Sequence, residues 1–211
     1  MTRYYIVRHG ETEAFRNKIL QLEEEPLNAT GNQQAKKVAE RLKSEKFDAI
    51  FCSDAARAQQ TCKHIHKHHK HLSVEYLPEL RERNWGVFKG LHFSISQKAV
   101  EKSGMSRENY KPERGESFDD VAGRARNAWQ MISSKCTKHS NVLIVSHGTL
   151  MSFLIAAAQK KEDRKHVLKI RDKQFIPTAV NILDVEDKTT REVCIGDTSH
   201  LDEATGMILE K

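Results

Sequence analysis

Two histidines in this sequence each end a short apolar run and precede a glycine. Arg8 and His9 end the first run, and Ser146 and His147 end the second. Runs of β-branched and aromatic residues predict buried strands, and a glycine after a strand permits a tight turn. Ligands of open α/β sheets bind beyond the carboxyl ends of the strands. The sequence therefore predicts that both histidines lie where chemistry takes place.

An arginine beside a histidine at such a position is suited to phosphate. Arginine presents a planar fork of donors to phosphate oxygens, and a neutral imidazole has a ring nitrogen lone pair that can attack phosphorus. Arg57 is predicted about one turn into a helix that follows the strand ending at Cys52. Its side chain can then reach back to the same sheet edge, although a surface arginine on a polar helix has the same pattern.

The elements that must position these residues alternate between strand and helix patterns. Apolar residues recur at helical spacing from Ala35 to Leu42, in a helix that Thr30 is expected to cap. Ser53 is expected to cap the helix that carries Arg57. Ser117 and Asp120 are expected to form a capping box at the start of a long helix.

The later part of the chain completes the predicted sheet. The run from Thr149 to Gln159 is apolar nearly all round, which indicates a buried helix. Residues 179–185 and 192–195 are expected to form a hairpin around residues 186–188.

Composition favours one folded domain over residues 1–211. The 211-residue chain has a mean hydropathy of −0.66, and it contains no apolar run approaching the ~20 residues of a membrane helix. No room for a signal peptide precedes the first strand, so a cytoplasmic location is expected. The net charge is +6, its basic and acidic residues are mostly interspersed, and the sequence has no nucleic-acid-binding motif.

We expect a small phosphorylated substrate, no nucleic-acid or membrane partner, and a monomer or homodimer.

The cysteines and a histidine tract have competing interpretations. The four cysteines lack CxxC spacing, so reduced thiols are favoured over a disulfide framework or a zinc site. Residues 64–71 hold five of the eleven histidines, and a metal site there is the alternative to a solvated helix end. Because the interleaved lysines would repel a cation, the helix end is favoured.

Six short blocks follow one another along the sequence. They are Arg8 to Thr12, Pro26 and Leu27 with Gly31, Ser53 to Thr61, Leu80 to Glu82 with Gly86 and Gly90, Gly115 to Ser117, and Ser146 to Gly148. In this order they resemble the histidine phosphatase superfamily, which includes cofactor-dependent phosphoglycerate mutases and broad-specificity phosphatases. The resemblance implies a three-layer α/β/α sandwich with a mostly parallel central sheet and a small cap segment, residues 92–116, over the site.

The resemblance also implies roles for particular residues. His9 would become a phosphohistidine, Glu82 would protonate the leaving group, and the phosphate charge would be neutralised by Arg8, Arg57 and His147. Gly148 would contact the substrate. This scheme requires no metal and no cofactor.

One position departs from the family pattern. Relatives place an asparagine six residues after the nucleophilic histidine, where this chain has Phe15, followed by Arg16 and Asn17. Asn17 is therefore predicted to contact the substrate in its place, with Arg16 as the alternative.

Two other functions compete with a phosphatase. Mutases of the family carry a longer insertion between the glutamate and the second histidine, whereas only about sixty residues separate Glu82 from His147 here. A phosphatase is therefore favoured over a mutase. A phospholigand-binding module is the third possibility, which intact His9 and Glu82 oppose.

Overall fold

Six strands form one sheet in the computed structural model, which describes residues 1–173, 176–186 and 189–202. The strands are β1 (Thr2–Arg8), β2 (Ala49–Cys52), β3 (Val74–Tyr76), β4 (Asn141–Ser146), β5 (Val180–Glu186) and β6 (Thr189–Asp197). Their order is β3-β2-β4-β1-β5-β6, and the first four are parallel. β5 runs antiparallel to β1, and β6 runs antiparallel to β5. The predicted mostly parallel α/β fold is confirmed.

Helices cover both faces of this sheet. The α-helices in the described part of the chain are α1 (Glu13–Arg16), α2 (Ala29–Leu42), α3 (Ala56–His66), α4 (Phe93–Ser103), α5 (Phe118–Lys135), α6 (Gly148–Gln159) and α7 (Arg164–Lys173). One core lies between the sheet and α5, α6 and α7, and the other lies between the sheet and α2 and α3. Side chains of β1 alternate between the two cores, with Ile6 in the first and Val7 in the second. The three-layer arrangement follows from this alternation.

The register of the parallel strands brings three chain segments to one edge. Arg8 of β1 lies opposite Ser146 of β4, and Cys52 of β2 lies opposite Val145. The residues that follow the strands, His9, His147 and Ser53, therefore emerge side by side at the carboxyl edge.

Two of the predicted helix caps are wrong, and one is confirmed. Asn28, not Thr30, caps α2, because its side chain accepts the Gly31 N–H at 2.8 Å. The N-cap of α3 is Ala55, without a side-chain hydrogen bond, rather than Ser53. The capping box of Ser117 with Asp120 is present at the start of α5.

The predicted hairpin corresponds to β5 and β6, and β6 is longer than expected. Residues 187 and 188 of its expected turn lie outside the described residues.

The histidine tract ends α3. His66 and His69 contact the backbone carbonyls of Leu72 and Leu42 at 2.8 and 3.2 Å through their Nε2 atoms. Across the described ranges, no group of three or more potential metal ligands occurs. Nor does any described helix have the length and apolar character to cross a membrane.

Candidate active site

His9 lies immediately after β1, and both of its main-chain groups make backbone hydrogen bonds. Its N–H donates to Ser146 O at 3.0 Å, and its carbonyl accepts the Thr178 N–H at 3.2 Å. The side chain is 1% exposed, and its Nδ1 lies 2.7 Å from Gly10 O. Because a carbonyl only accepts, this contact places the ring proton on Nδ1 and leaves the lone pair on Nε2.

His147 lies immediately after β4 and faces His9. The ring centroids are 4.9 Å apart at an interplanar angle of 58°. Its side chain is fully buried, and its Nε2 lies 2.8 Å from Ser53 Oγ. The buried Nδ1 has no hydrogen-bond partner among the residues that the structure describes. One ring nitrogen is thus anchored, and the other is available to a ligand.

Two buried arginines lie beside the histidines. Arg57, on α3, donates from Nη1 to Leu22 O at 2.6 Å, while its buried Nε makes no hydrogen bond within the described chain. Arg8 lies over the ring of Phe15, with Cζ 4.8 Å from the centroid. Burial lowers the pKa of each arginine to about 10, against the opposing effect of Glu82. Both guanidinium groups therefore remain charged at neutral pH.

The same environment keeps both imidazoles neutral. Burial is the largest cause that holds the pKa of His9 and of His147 well below the ordinary value, and the positive charges of Arg57 and Arg8 add to it. A neutral imidazole retains a lone pair near neutral pH, so His9 meets the requirement for a nucleophile.

Glu82 is half-buried at the N-terminus of α6. Its carboxyl oxygens accept N–H groups from Thr149 at 3.1 Å and Leu150 at 3.3 Å, together with the N–H of Arg83 at 2.8 Å. These donors hold the carboxyl group against the first turn of α6, the helix that His147 caps. The dipole of this helix favours an acidic group at its N-terminus. Its charge also acts on Arg8 and Arg57, so it belongs to the same cluster.

Sequence reasoning missed the residue that holds the Glu82 loop. Arg124, on α5, donates to the carbonyls of Arg81 at 2.7 Å and Glu82 at 3.2 Å, and it pairs with Glu116 at 2.8 Å. Glu116 belongs to the Gly-Glu-Ser block that was already visible in the sequence. An arginine one helical turn beyond the capping box was the remaining signal.

The structure joins Gly148 to the cluster but not Asn17. Gly148 begins α6 beside Arg8, since a Cβ built on it would lie 3.6 Å from the guanidinium carbon. Asn17 is exposed at the end of α1, where its amide donates to Glu13 Oε1 at 3.0 Å. Arg16 binds Glu11. Phe15 contacts Arg8 of the cluster, whereas Arg16 and Asn17 are exposed.

Known proteins share both the sequence pattern and the fold of this chain. The sequence is 30% identical over 209 residues to the broad-specificity phosphatase YOR283W of Saccharomyces cerevisiae, covering 94% of this chain and 87% of that protein. It is 35% identical over 213 residues to phosphoglycerate mutase-like protein 4 of Arabidopsis thaliana, covering 96% and 88%. The structure of YhfR from Bacillus stearothermophilus superimposes with a TM-score of 0.81 at 28% identity, covering 95% and 99%. The model of the histidine phosphatase superfamily (branch 1) matches residues 4–198, and the chain belongs to that family.

Proposed function

We propose that this protein hydrolyses phosphomonoesters of small metabolites through a phosphohistidine formed on His9. The observation that carries the proposal is the pairing of two neutral, buried imidazoles, 4.9 Å apart, with two buried, charged arginines at one sheet edge. The relatives that are named as phosphatases support this reaction type.

The arginines and His147 bind the phosphoryl group in this proposal. A phosphomonoester resists nucleophiles because its oxygens are negative, so those charges must first be neutralised. Arg57 Nε and His147 Nδ1 are buried donor positions without a partner in the described part of the chain. A phosphoryl oxygen would satisfy both, and their placement before the reaction avoids a reorganisation cost.

His9 and Glu82 carry out the two chemical steps. His9 Nε2 attacks phosphorus in line with the leaving oxygen, so an N–P bond forms as the P–O bond breaks. In this proposal Glu82 takes up a proton as the anionic substrate binds and gives that proton to the departing alkoxide. In the second step Glu82 takes a proton from water, whose oxygen attacks phosphorus and releases inorganic phosphate and neutral His9.

A mutase is the second candidate, since one relative is named as phosphoglycerate mutase-like. In that reaction the phosphoryl group of His9 would pass to a second hydroxyl instead of water. The short segment between Glu82 and His147 favours hydrolysis. The cytoplasmic location, the absence of nucleic-acid and membrane partners, the monomeric or dimeric state and the single domain stay predictions.

Phosphate release from a panel of phosphomonoesters, measured with a metal chelator present, tests the proposal. We expect turnover by the wild type and a loss of at least ~10³-fold in His9→Ala, because the substitution removes the ring nitrogen that attacks phosphorus. His71→Ala removes an exposed histidine and should leave the rate unchanged.

Two results would contradict the phosphatase reaction. Release that persists in His9→Ala would rule out the phosphohistidine. Exchange between phosphoglycerate isomers that outpaces phosphate release when bisphosphoglycerate is supplied would establish the mutase.

A further inference from the structure

Ser53 lies at the same sheet edge as His9 and His147 and is not the N-cap of α3. It follows β2, is fully buried, and its hydroxyl has two neighbours in the described structure. The Ala55 N–H donates to Ser53 Oγ at 3.3 Å, and His147 Nε2 lies 2.8 Å from the same oxygen. A residue that the sequence placed in a helix cap therefore contacts a candidate catalytic ring.

The hydrogen bond between Ser53 Oγ and His147 Nε2 can be formed with the proton on either atom, and the other partner of Ser53 favours one of the two tautomers of His147. A serine hydroxyl has one proton to donate and two lone pairs to accept with, and the Ala55 N–H uses one lone pair. If His147 Nε2 carried the ring proton, the Ser53 O–H would have no acceptor among the described residues. A buried donor without a partner destabilises the folded state, because its hydrogen bond to water is lost and not replaced. If Ser53 instead donates to Nε2, its one proton has an acceptor and the ring proton of His147 lies on Nδ1.

We propose that Ser53 is a positioning residue that holds His147 as the Nδ1–H tautomer, so that this N–H donates to the transferred phosphoryl group. The inference rests on the proposed function, because it assigns a ligand to the buried Nδ1 that has no partner within the described ranges. The opposite tautomer would point a lone pair at an anionic oxygen, which repels it. His9 and His147 therefore share one tautomer but present opposite atoms, a lone pair from His9 and an N–H from His147.

A neutral partner also explains why His147 remains uncharged. A carboxylate in the place of Ser53 would favour the imidazolium and raise the pKa of the ring. A hydroxyl fixes the proton without adding charge, so the neighbouring Arg8 and Arg57 do not have to coexist with a third full positive charge. Arg57 and Arg8 then supply the positive charge that acts on His9.

The tautomer is directly measurable by long-range ¹H–¹⁵N NMR of the intact protein. The His147 signals are assigned by their loss in His147→Gln. We expect the wild type to show a protonated Nδ1 and an unprotonated Nε2, and inorganic phosphate to shift the Nδ1 signal. In Ser53→Ala we expect protonation at Nε2, whereas Ser53→Thr, which keeps the hydroxyl, should retain the wild-type pattern.

Binding and kinetics give a second measurement. Ser53→Ala should weaken the affinity for inorganic phosphate about ten-fold, as expected for a hydrogen bond to a charged group, and should lower kcat/KM by at least that factor. Ser96→Ala is the matched control, because Ser96 is equally buried on α4 and donates only to Phe93 O. It should change neither the tautomer nor the affinity.

The outcomes separate this inference from the proposed function. A wild-type Nε2–H tautomer, or an unchanged Nδ1–H tautomer in folded Ser53→Ala, would overturn the role of Ser53. If the tautomer behaves as expected while His9→Ala still releases phosphate, the phosphohistidine fails and the positioning of His147 stands. Should Ser53→Ala fail to fold, the wild-type spectrum and Ser53→Thr still decide the question.

Discussion

At the scale of single residues, the two active-site histidines differ in the atoms that contact their rings, and therefore in the ring nitrogen that each presents to a ligand. His9 and His147 both follow a strand, both are buried, and burial lowers the pKa of both. They differ in one ring contact, which is a carbonyl for His9 and a hydroxyl for His147. Since hydrogen bonding of one ring nitrogen decides what the other presents, these contacts support the proposed roles of His9 as nucleophile and His147 as hydrogen-bond donor.

Phe15 offers a test at the same scale, because it occupies the position where relatives have asparagine. Its ring supports the Arg8 guanidinium at 4.8 Å. We expect Phe15→Leu, which keeps apolar volume but removes the aromatic face, to raise KM about 2–5-fold with little change in kcat. Steady-state kinetics on the best substrate of the panel measures both constants.

Phe15→Tyr is the control for this effect, since it retains the aromatic face. It should keep the wild-type KM. Equal KM values for Phe15→Leu and the wild type would show that the ring does not hold Arg8 for phosphate binding.

At the scale of elements, the junctions between strands and helices build the site. The β4–α6 junction supplies His147, Gly148 and the N–H groups that orient Glu82. The loop after β1 packs closely against the first turn of α2. A Cβ on Gly10 would lie 2.6 Å from the carbonyl oxygen of Gly31. Helix packing at these two junctions therefore determines the positions of catalytic atoms.

Gly31→Ala tests the second junction. A Cβ on Gly31 would lie 2.0 Å from Glu11 O, and this backbone atom cannot move without displacing Gly10, whose carbonyl fixes the His9 ring. We expect a loss of about 3 kcal/mol in the free energy of unfolding, together with loss of phosphate release. Urea unfolding and the activity assay measure the two effects.

Gly123→Ala is the matched substitution in α5. The nearest atom to its new Cβ is 3.9 Å away, on the flexible Arg126 side chain. Helix propensity predicts a gain of ~1 kcal/mol with activity unchanged. Comparable behaviour of the two variants would mean that the contact between α2 and the His9 loop is unimportant.

At the scale of the whole molecule, the sequence predicted what local spacing determines. The Ser117–Asp120 box depends on residues three apart and was predicted from their spacing. The strands and the helices α2, α3, α5 and α6 were expected from periodicity and capping patterns, whereas α1, α4 and α7 were not predicted. The order of the motifs suggested the cluster. Ser53 was misassigned because its partner lies 94 positions away, and Glu82 was placed at α6 only by a contact across 67 positions. Local patterns carry no information on such tertiary contacts, which also outweigh local capping preferences.

The burial of His9 and His147 should make the free energy of unfolding of the whole molecule depend on pH. Their folded pKa values lie well below the ~6.5 of the unfolded chain, so the unfolded state binds more protons as the pH falls through that value. We expect the free energy of unfolding to decrease from about pH 7.5 to about pH 5.5, as measured by urea unfolding.

The double variant His9→Gln, His147→Gln separates this effect from other groups. The pKa of Asp184, lowered to about 2 by Arg3, also costs stability in acid, but only below the ~4 of an unfolded aspartate. His200, whose pKa burial lowers to about 4, is present in both proteins. The double variant should therefore lose less stability than the wild type between about pH 7.5 and about pH 5.5, whatever its absolute stability. If the free energy of unfolding changes equally with pH in both proteins, burial does not lower the pKa of either histidine. The argument that His9 is a neutral nucleophile would then fail.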